Sequence, residues 1–485
     1  MLDLTVKPEG QKAAIRRARE RRIVIPTLAE MSGAAPLRAT ARERLANLEL
    51  WSVDPANLFR IRWDNEPVNR GGGFGDVNFI ELPSALTGVD AKIVALVGKW
   101  FPTGAHKVGA AFGCLVPRLV TGQFDPERQQ AAWPSTGNFC RGGAYDSAVL
   151  GCRSIAILPE GMSRERFEWL KSIAGQVIKT PGTESNVKEI FDKCHELSRS
   201  GQDIAIFNQF EDFGNYLWHF AVTGPAMVRV LERVMGARGE LCGLVLATGS
   251  AGTLASGDYL KSRLPASKIA AVEALQCPTM LRNGFGAHRI EGIGDKHIPW
   301  IHNVRNTDYA IAVDDAGPLE LIRLFNSDEG RRYLAGRGLS DAAVNSLPLF
   351  GISGAANLIA AVKFAKACGT GPDDVVLTVL TDSIDLYRSR LDELAETNGP
   401  LTAAGAAAAH HRYLLGAGTD DMLELRGEDR RRIHNLKYFT WVEQQGRTAE
   451  ELDRLWDPDS WRGVQELLGP LDALIEDFNG QVGLA

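Results

Sequence analysis

No run of apolar residues in this chain reaches the roughly 18–20 that a membrane span requires. The first thirty residues also lack the apolar core of a secretory signal. Cysteine is sparse and scattered, with seven residues at 114, 140, 152, 194, 242, 277 and 368 and no CxxC pair. That pattern argues against a disulfide framework and a structural zinc site, so no metal is expected and a reducing, cytoplasmic setting fits. An excess of basic residues is missing too, since a net charge of −6 over 485 residues argues against a general nucleic-acid binder. The one basic cluster, "IRRARERR" at 15–22, reads as a solvated helix face rather than a targeting arm. No internal repeat is visible.

What is present is a soluble globular composition, 45% hydrophobic and 24% charged, on a chain long enough for two or more domains. Short aliphatic runs at 92–98, 154–159, 176–182, 203–208, 241–248, 268–275 and 374–381 read as buried strands, and amphipathic stretches such as 163–175 and 355–369 alternate with them as helices. Such alternation predicts an α/β fold with two doubly wound parallel-sheet layers, and a ligand in the crevice at the strands' carboxyl ends. The expected divisions are 1–90 (N-terminal extension and first part of the large domain), 91–235 (mainly a smaller, mobile α/β domain), 236–390 (the large domain) and 391–485 (a helical C-terminal extension). Trp441, Trp456 and Trp461 suggest that this last part packs onto the body or a second subunit. His410-His411 reads as surface structure rather than a metal fragment, because adjacent residues do not share a helix face.

Three glycine-rich turns have the form strand, small residues, helix: "STGNFCRGG" (135–143), "TGSAGTLASG" (248–257) and "FGISGAAN" (350–357). Turns of this kind leave backbone N–H groups at a helix start, where an anion can bind. A lysine, Lys107, sits in "KWFPTGAHKVGAAFGC" (99–114) among small residues at an apolar helix start. An amine that attacks a carbonyl must lose its proton, and desolvation with helix N-terminal potential favours that loss. Two anion sites beside one amine suggest an anionic cofactor and an anionic substrate. His106 either adds a donor to a phosphate or packs.

These residues resemble the tryptophan-synthase-β/cysteine-synthase superfamily of pyridoxal-phosphate enzymes, fold type II, with most similarity to cysteine synthase and cystathionine β-synthase. The likeness runs in order through "PTGAHKVGA" (102–110), "STGN" (135–138), 158–182, 208–225, "TGSAGT" (248–253), "GAHRIEGIGDKHIP" (286–299), "GISGAAN" (351–357) and "LTDSIDLY" (380–387). It implies pyridoxal 5'-phosphate in the cleft between the two layers, held as a Schiff base by Lys107, which also moves the α-proton. The phosphate loop falls on Gly249, Ser250, Ala251, Gly252 and Thr253, and Asn138 matches the residue bonding the ring hydroxyl. Ser135, Thr136 and Gly137, with Gln209 beside them, match the loop that captures the substrate carboxylate, and Phe139 follows in that loop. Ser383 matches the residue facing the pyridine nitrogen, with Asp382 adjacent.

A serine there implies prompt loss of a β-substituent through an aminoacrylate. The expected reaction is therefore β-replacement or β-elimination on a serine-derived amino acid, cysteine-synthase-like. The alternative is an ammonia-lyase acting on serine, threonine or diaminopropionate and releasing a keto acid. A homodimer with a small amino-acid substrate, and neither a nucleic-acid nor a membrane partner, is expected by analogy with the family. The chain departs from its relatives at "GAHK", at Phe139, Cys140 and Arg141, and at the single Ser353. Arg141 either pairs with an extra substrate carboxylate or lies on the outer helix face. Cys140 reads as a packing residue, and His288 as structural or chemical.

Overall fold

The computed structural model describes residues 2–66 and 68–484. All seven runs read as strands form strands, and four more join them. In chain order they are β1 (Phe79–Leu82), β2 (Lys92–Val97), β3 (Gln130–Pro134), β4 (Arg153–Pro159), β5 (Gln176–Thr180), β6 (Ile204–Ile206), β7 (Leu241–Ala247), β8 (Lys268–Ala274), β9 (Tyr309–Val313), β10 (Val375–Leu380) and β11 (Met422–Glu424). Seven build one sheet in the order β1-β2-β10-β7-β8-β9-β11, and four build the other in the order β5-β4-β3-β6. Every pair is parallel except β1 with β2 and β11 with β9, at the two edges of the larger sheet. Parallel strands covered by helices on both faces read as continuous apolar runs, and all six residues of β10 are buried. The helix Ile352–Cys368 packs against β10 and β7 and is buried over its first fourteen residues.

Two details differ from the expectation. Although β2 lies in the 91–235 stretch, it pairs between β1 and β10 in the larger sheet, and only 130–206 supply the smaller one. The C-terminal extension is not purely helical, because β11 closes an edge of the larger sheet. A three-residue edge strand leaves too little periodicity to be read.

Both terminal segments are tied to the body and to each other. The helix Pro8–Arg21 buries Ala13, Ala14, Ile15 and Ala18 and turns its arginines outward, so the basic cluster is a helix face. Asn479, in the helix Leu468–Val482, donates to Ile25 O (2.8 Å) and accepts from Ile25 N (3.0 Å). Asp472 accepts from the amides of Leu28 and Ala29, satisfying two free donors at a helix start. Farther up the tail, the buried Lys437 amine donates to Trp300 O and His302 O, and Trp441 Nε1 donates to Ile298 O, each at 2.8 Å. His410 is buried rather than superficial, its Nε2 2.8 Å from Leu86 O, whereas His411 is exposed. Asn479→Ala strands a buried N–H and a buried C=O. It is expected to cost about 2 kcal/mol or more, read as a lower urea midpoint of unfolding.

Candidate active site

Turns at the carboxyl ends of β2, β3, β7 and β10 converge between the two sheets, where open α/β folds place their ligands. After β2 the chain turns through Pro102–Gly104, with Thr103 in the left-handed region at φ 71°, and Lys107 then opens the helix Lys107–Val120. Its Nζ donates to Ser250 Oγ (2.8 Å) and to Gln209 Oε1 (3.1 Å). Gln209 Nε2 donates in turn to Ser135 Oγ (3.3 Å), and Asn215 Nδ2 donates to Ser250 Oγ (3.0 Å). One chain of hydrogen bonds thus joins the amine to two of the three glycine-rich turns, those after β3 and β7. Desolvation brings the amine from its ordinary 10.5 down to about 8, against the opposing pull of Asp295.

The turn after β7 is built to receive an anion. Among the described residues, the amides of Gly249, Ser250, Ala251, Gly252 and Thr253 donate to no backbone or side-chain acceptor, and the helix Leu254–Lys261 starts directly behind them. A Cβ on Gly252 would lie 2.2 Å from Asn215 Oδ1, so no larger residue fits this wall. The same cleft is lined by His106, Lys107, Gly292, Asn357 and Thr381. The His106 ring is fully buried against Trp63 and His219, with Nε2 3.3 Å from Thr381 Oγ1 and Nδ1 unpartnered. Burial brings its pKa down to about 3, so the imidazole is neutral. His106 both packs and faces the cleft.

The turn after β3 holds Ser135, Thr136 and Gly137 buried, with Ser135 Oγ accepting from Gly137 N at 3.0 Å. Asn138 points its Nδ2 at Asp382 Oδ2 (2.6 Å) and leaves Oδ1 unpartnered. Phe139 is placed elsewhere: its ring packs edge-on against Trp133 in the core, away from the 135–137 turn it follows. Ser383 is likewise turned away, accepting from Asp385 N (3.4 Å) at the start of a short helical turn, and Thr381 is the hydroxyl that lines the cleft. Cys140 is buried and pushed up to about 12 by desolvation, which makes it a packing residue. The Arg141 guanidinium is also buried, stacked between Trp51 and Trp169 with Nε and Nη1 unpartnered. His288 is structural: Nε2 donates to Gly294 O (2.7 Å) and Nδ1 accepts from Ile290 N.

Sequence reading missed Thr381, Gly292 and Asn357 in the cleft, although each lies in or beside a quoted motif. It also missed Arg166, whose Nη1 donates to Thr136 O (3.0 Å) and pairs with Glu291 (2.8 Å) while Nη2 donates to Tyr387 OH (2.8 Å). An arginine in an amphipathic helix gives no sign of turning inward.

Comparison with known proteins gives the same reading. Residues 99–382 match the family described as pyridoxal-phosphate dependent enzyme. A probable cysteine synthase of Bacillus subtilis is 28% identical over 324 residues, covering 66% of this chain and 96% of the relative. Cysteine synthase B of Campylobacter jejuni is 30% identical over 289 residues, covering 59% and 87%. Among solved structures, an O-acetylserine dependent cystathionine β-synthase from Helicobacter pylori superposes with a TM-score of 0.53 at 25% identity, covering 64% of this chain and 94% of that one.

The residues present fit this cofactor. Five free amides at a helix start suit its phosphate, a desolvated amine suits its aldehyde, and the unpartnered Asn138 Oδ1 and the Thr381 hydroxyl offer polar groups to its ring. Labelling of Lys107 by a small aldehyde with a reductant, read by peptide mass spectrometry, should therefore rise with pH through a midpoint at about 8. A midpoint near the ordinary 10.5 would contradict the desolvated setting. By matched span, by fold and by the donor set around Lys107, this chain belongs to the fold type II pyridoxal-phosphate-dependent enzymes.

Proposed function

We propose that the protein catalyses β-replacement on a serine-derived amino acid, in the manner of a cysteine synthase. What carries the reading is the hydrogen-bond chain from Ser250 through Lys107 and Gln209 to Ser135, which sets one amine between two anion-binding turns. The relatives named cysteine synthase support the same reaction class.

Pyridoxal phosphate, when bound, supplies an electron sink that stabilises charge at the substrate's Cα. The amides of 249–253 would hold its phosphate, Lys107 Nζ would hold its aldehyde end, and Asn138 and Thr381 would offer polar groups to its ring. Ser135, Thr136 and Gly137 bind the substrate's α-carboxylate, with Gln209 orienting Ser135. Lys107 Nζ takes the α-proton, and its lowered basicity lets it hand the proton back near neutral pH. Neutral His106 keeps the wall behind the lysine free of a second positive charge.

The unit on the smaller sheet closes against the larger one to exclude water. Its closed form is supported by the pairs Arg166–Glu291 (2.8 Å) and Arg390–Glu291 (2.7 Å) and by the Ser389 hydroxyl donating to Glu165 (2.6 Å). A homodimer in a reducing compartment completes the proposal. The reducing compartment accords with cysteines that are all free, and the homodimer rests on analogy with the family.

Purified protein supplied with pyridoxal phosphate should take on its visible absorbance, and Lys107→Ala should abolish it with the far-ultraviolet circular dichroism retained. Turnover of O-acetylserine with sulfide should fall by about 10²-fold or more in that variant. Release of keto acid and ammonia with no uptake of sulfide or thiol would overturn β-replacement in favour of an ammonia-lyase.

A further inference from the structure

Beside the Lys107 cleft, a cavity of about 350 Å³ opens between the Gly161–Met162 turn, Thr183–Glu184 and the helix Arg388–Asn398. Met162, Leu319 and Leu394 give it an apolar wall, and most of the charges on it are already spent. Glu291 is held by Arg166 and Arg390, Glu393 by Arg390, and Arg289 by Asp315. Glu184 is the exception. Its side chain is buried, at 2% exposure, and its Oε2 has no partner.

The Glu184 carboxyl lies against the Thr136 hydroxyl and the Gly292 amide, with Arg166, Glu291 and Lys107 as the nearby charges. Thr136 belongs to the turn after β3, and Gly292 lines the cleft around the amine. Glu184 therefore stands in the partition between the outer cavity and the reaction cleft. A volume of about 350 Å³ falls at the lower end of the ~300–1,000 Å³ typical of sites for organic molecules, and is far more than hydrogen sulfide needs.

We infer that this cavity receives the second substrate, an organic thiol, and that the Glu184 carboxylate takes the proton from its S–H as sulfur bonds to the β-carbon. The inference rests on the β-replacement reading. As the S–H bond breaks, its electron pair forms the new S–Cβ bond. The Cα–Cβ π pair moves to Cα and is protonated there by Lys107 Nζ, the leaving group having departed earlier with its own bonding pair. An alkyl thiol, ordinarily near pKa 8.5, is mostly protonated at neutral pH and needs such a base. Burial pushes the Glu184 carboxyl up to about 8, against the opposing pull of Arg166, which matches it to that proton.

The test uses the holoenzyme with O-acetylserine and two thiols, 2-mercaptoethanol and thiophenol, the second already ionised at the assay pH. Glu184→Gln should lower kcat/KM for the alkyl thiol by about 10²-fold, the lower range for a general base, and leave that for the aryl thiol within a few-fold. Equal losses for both thiols, or no loss for either, would overturn the role of Glu184. Leu394→Trp, which adds bulk to the outer cavity, should raise KM for 2-mercaptoethanol and leave that for sulfide in place. A parallel rise for sulfide would overturn the cavity as the thiol site. Wild-type protein that joins neither thiol yet takes up sulfide would overturn this inference alone, whereas release of acetate with uptake of neither thiol nor sulfide would overturn the reading beneath it as well.

Discussion

A guanidinium with no access to water must find its partners inside the protein, and Arg166 finds them on both sheets. It bonds Thr136 O on the side of the smaller sheet and Glu291 and Tyr387 on the side of the larger. Tyr387 OH then donates to Asp382 Oδ2 (2.6 Å), which also accepts from Asn138. Burying a charge of this kind costs several kcal/mol unless its partners are in place, so the sheets cannot separate here without exposing or orphaning it. Burial favours the neutral form of Asp382, and Arg166 pulls it back. Gly137 lies under the same guanidinium, where a Cβ would come within 2.4 Å of Nη1. The turn after β3 is shaped by an arginine that does not face the cleft.

With the sheets held this way, the chemistry follows from where strands end. Parallel strands point their carboxyl ends in one direction, and the turns after β2, β3, β7 and β10 deliver an amine, a hydroxyl turn, a free-amide turn and a second hydroxyl to one cleft. Each polar group there works in a low dielectric, which strengthens its interactions and makes an unpaired one costly. The Lys107 amine is drawn down and the Glu184 carboxyl pushed up for the same reason: both are denied water.

Backbone-driven features were legible in the sequence. Seven strands, the glycine turns and the lysine at a helix start all rest on periodicity or on residues with a steric signature. The direction of individual side chains was not. Phe139 and Asn138 are neighbours on one helix, yet one packs on Trp133 and the other reaches Asp382. Around "TDSIDLY" a shift of two residues separates the hydroxyl that lines the cleft, Thr381, from the one that caps a turn, Ser383. Glu184 lies in a loop with no period, and Arg166 and Lys437 look like surface charges until tertiary packing encloses them.

The strand order of the larger sheet also bears on how the chain emerges from a ribosome. The smaller sheet is drawn from one continuous segment, 130–206, and can assemble as soon as that segment is made. The larger sheet cannot, because β10 sits between β2 and β7 and is synthesised long after both. Until β10 arrives, β2 and β7 each present an unpaired edge of buried-type residues, the kind of surface that invites association with other chains. The nascent protein thus passes through a long interval with one layer folded and the other held open at its centre.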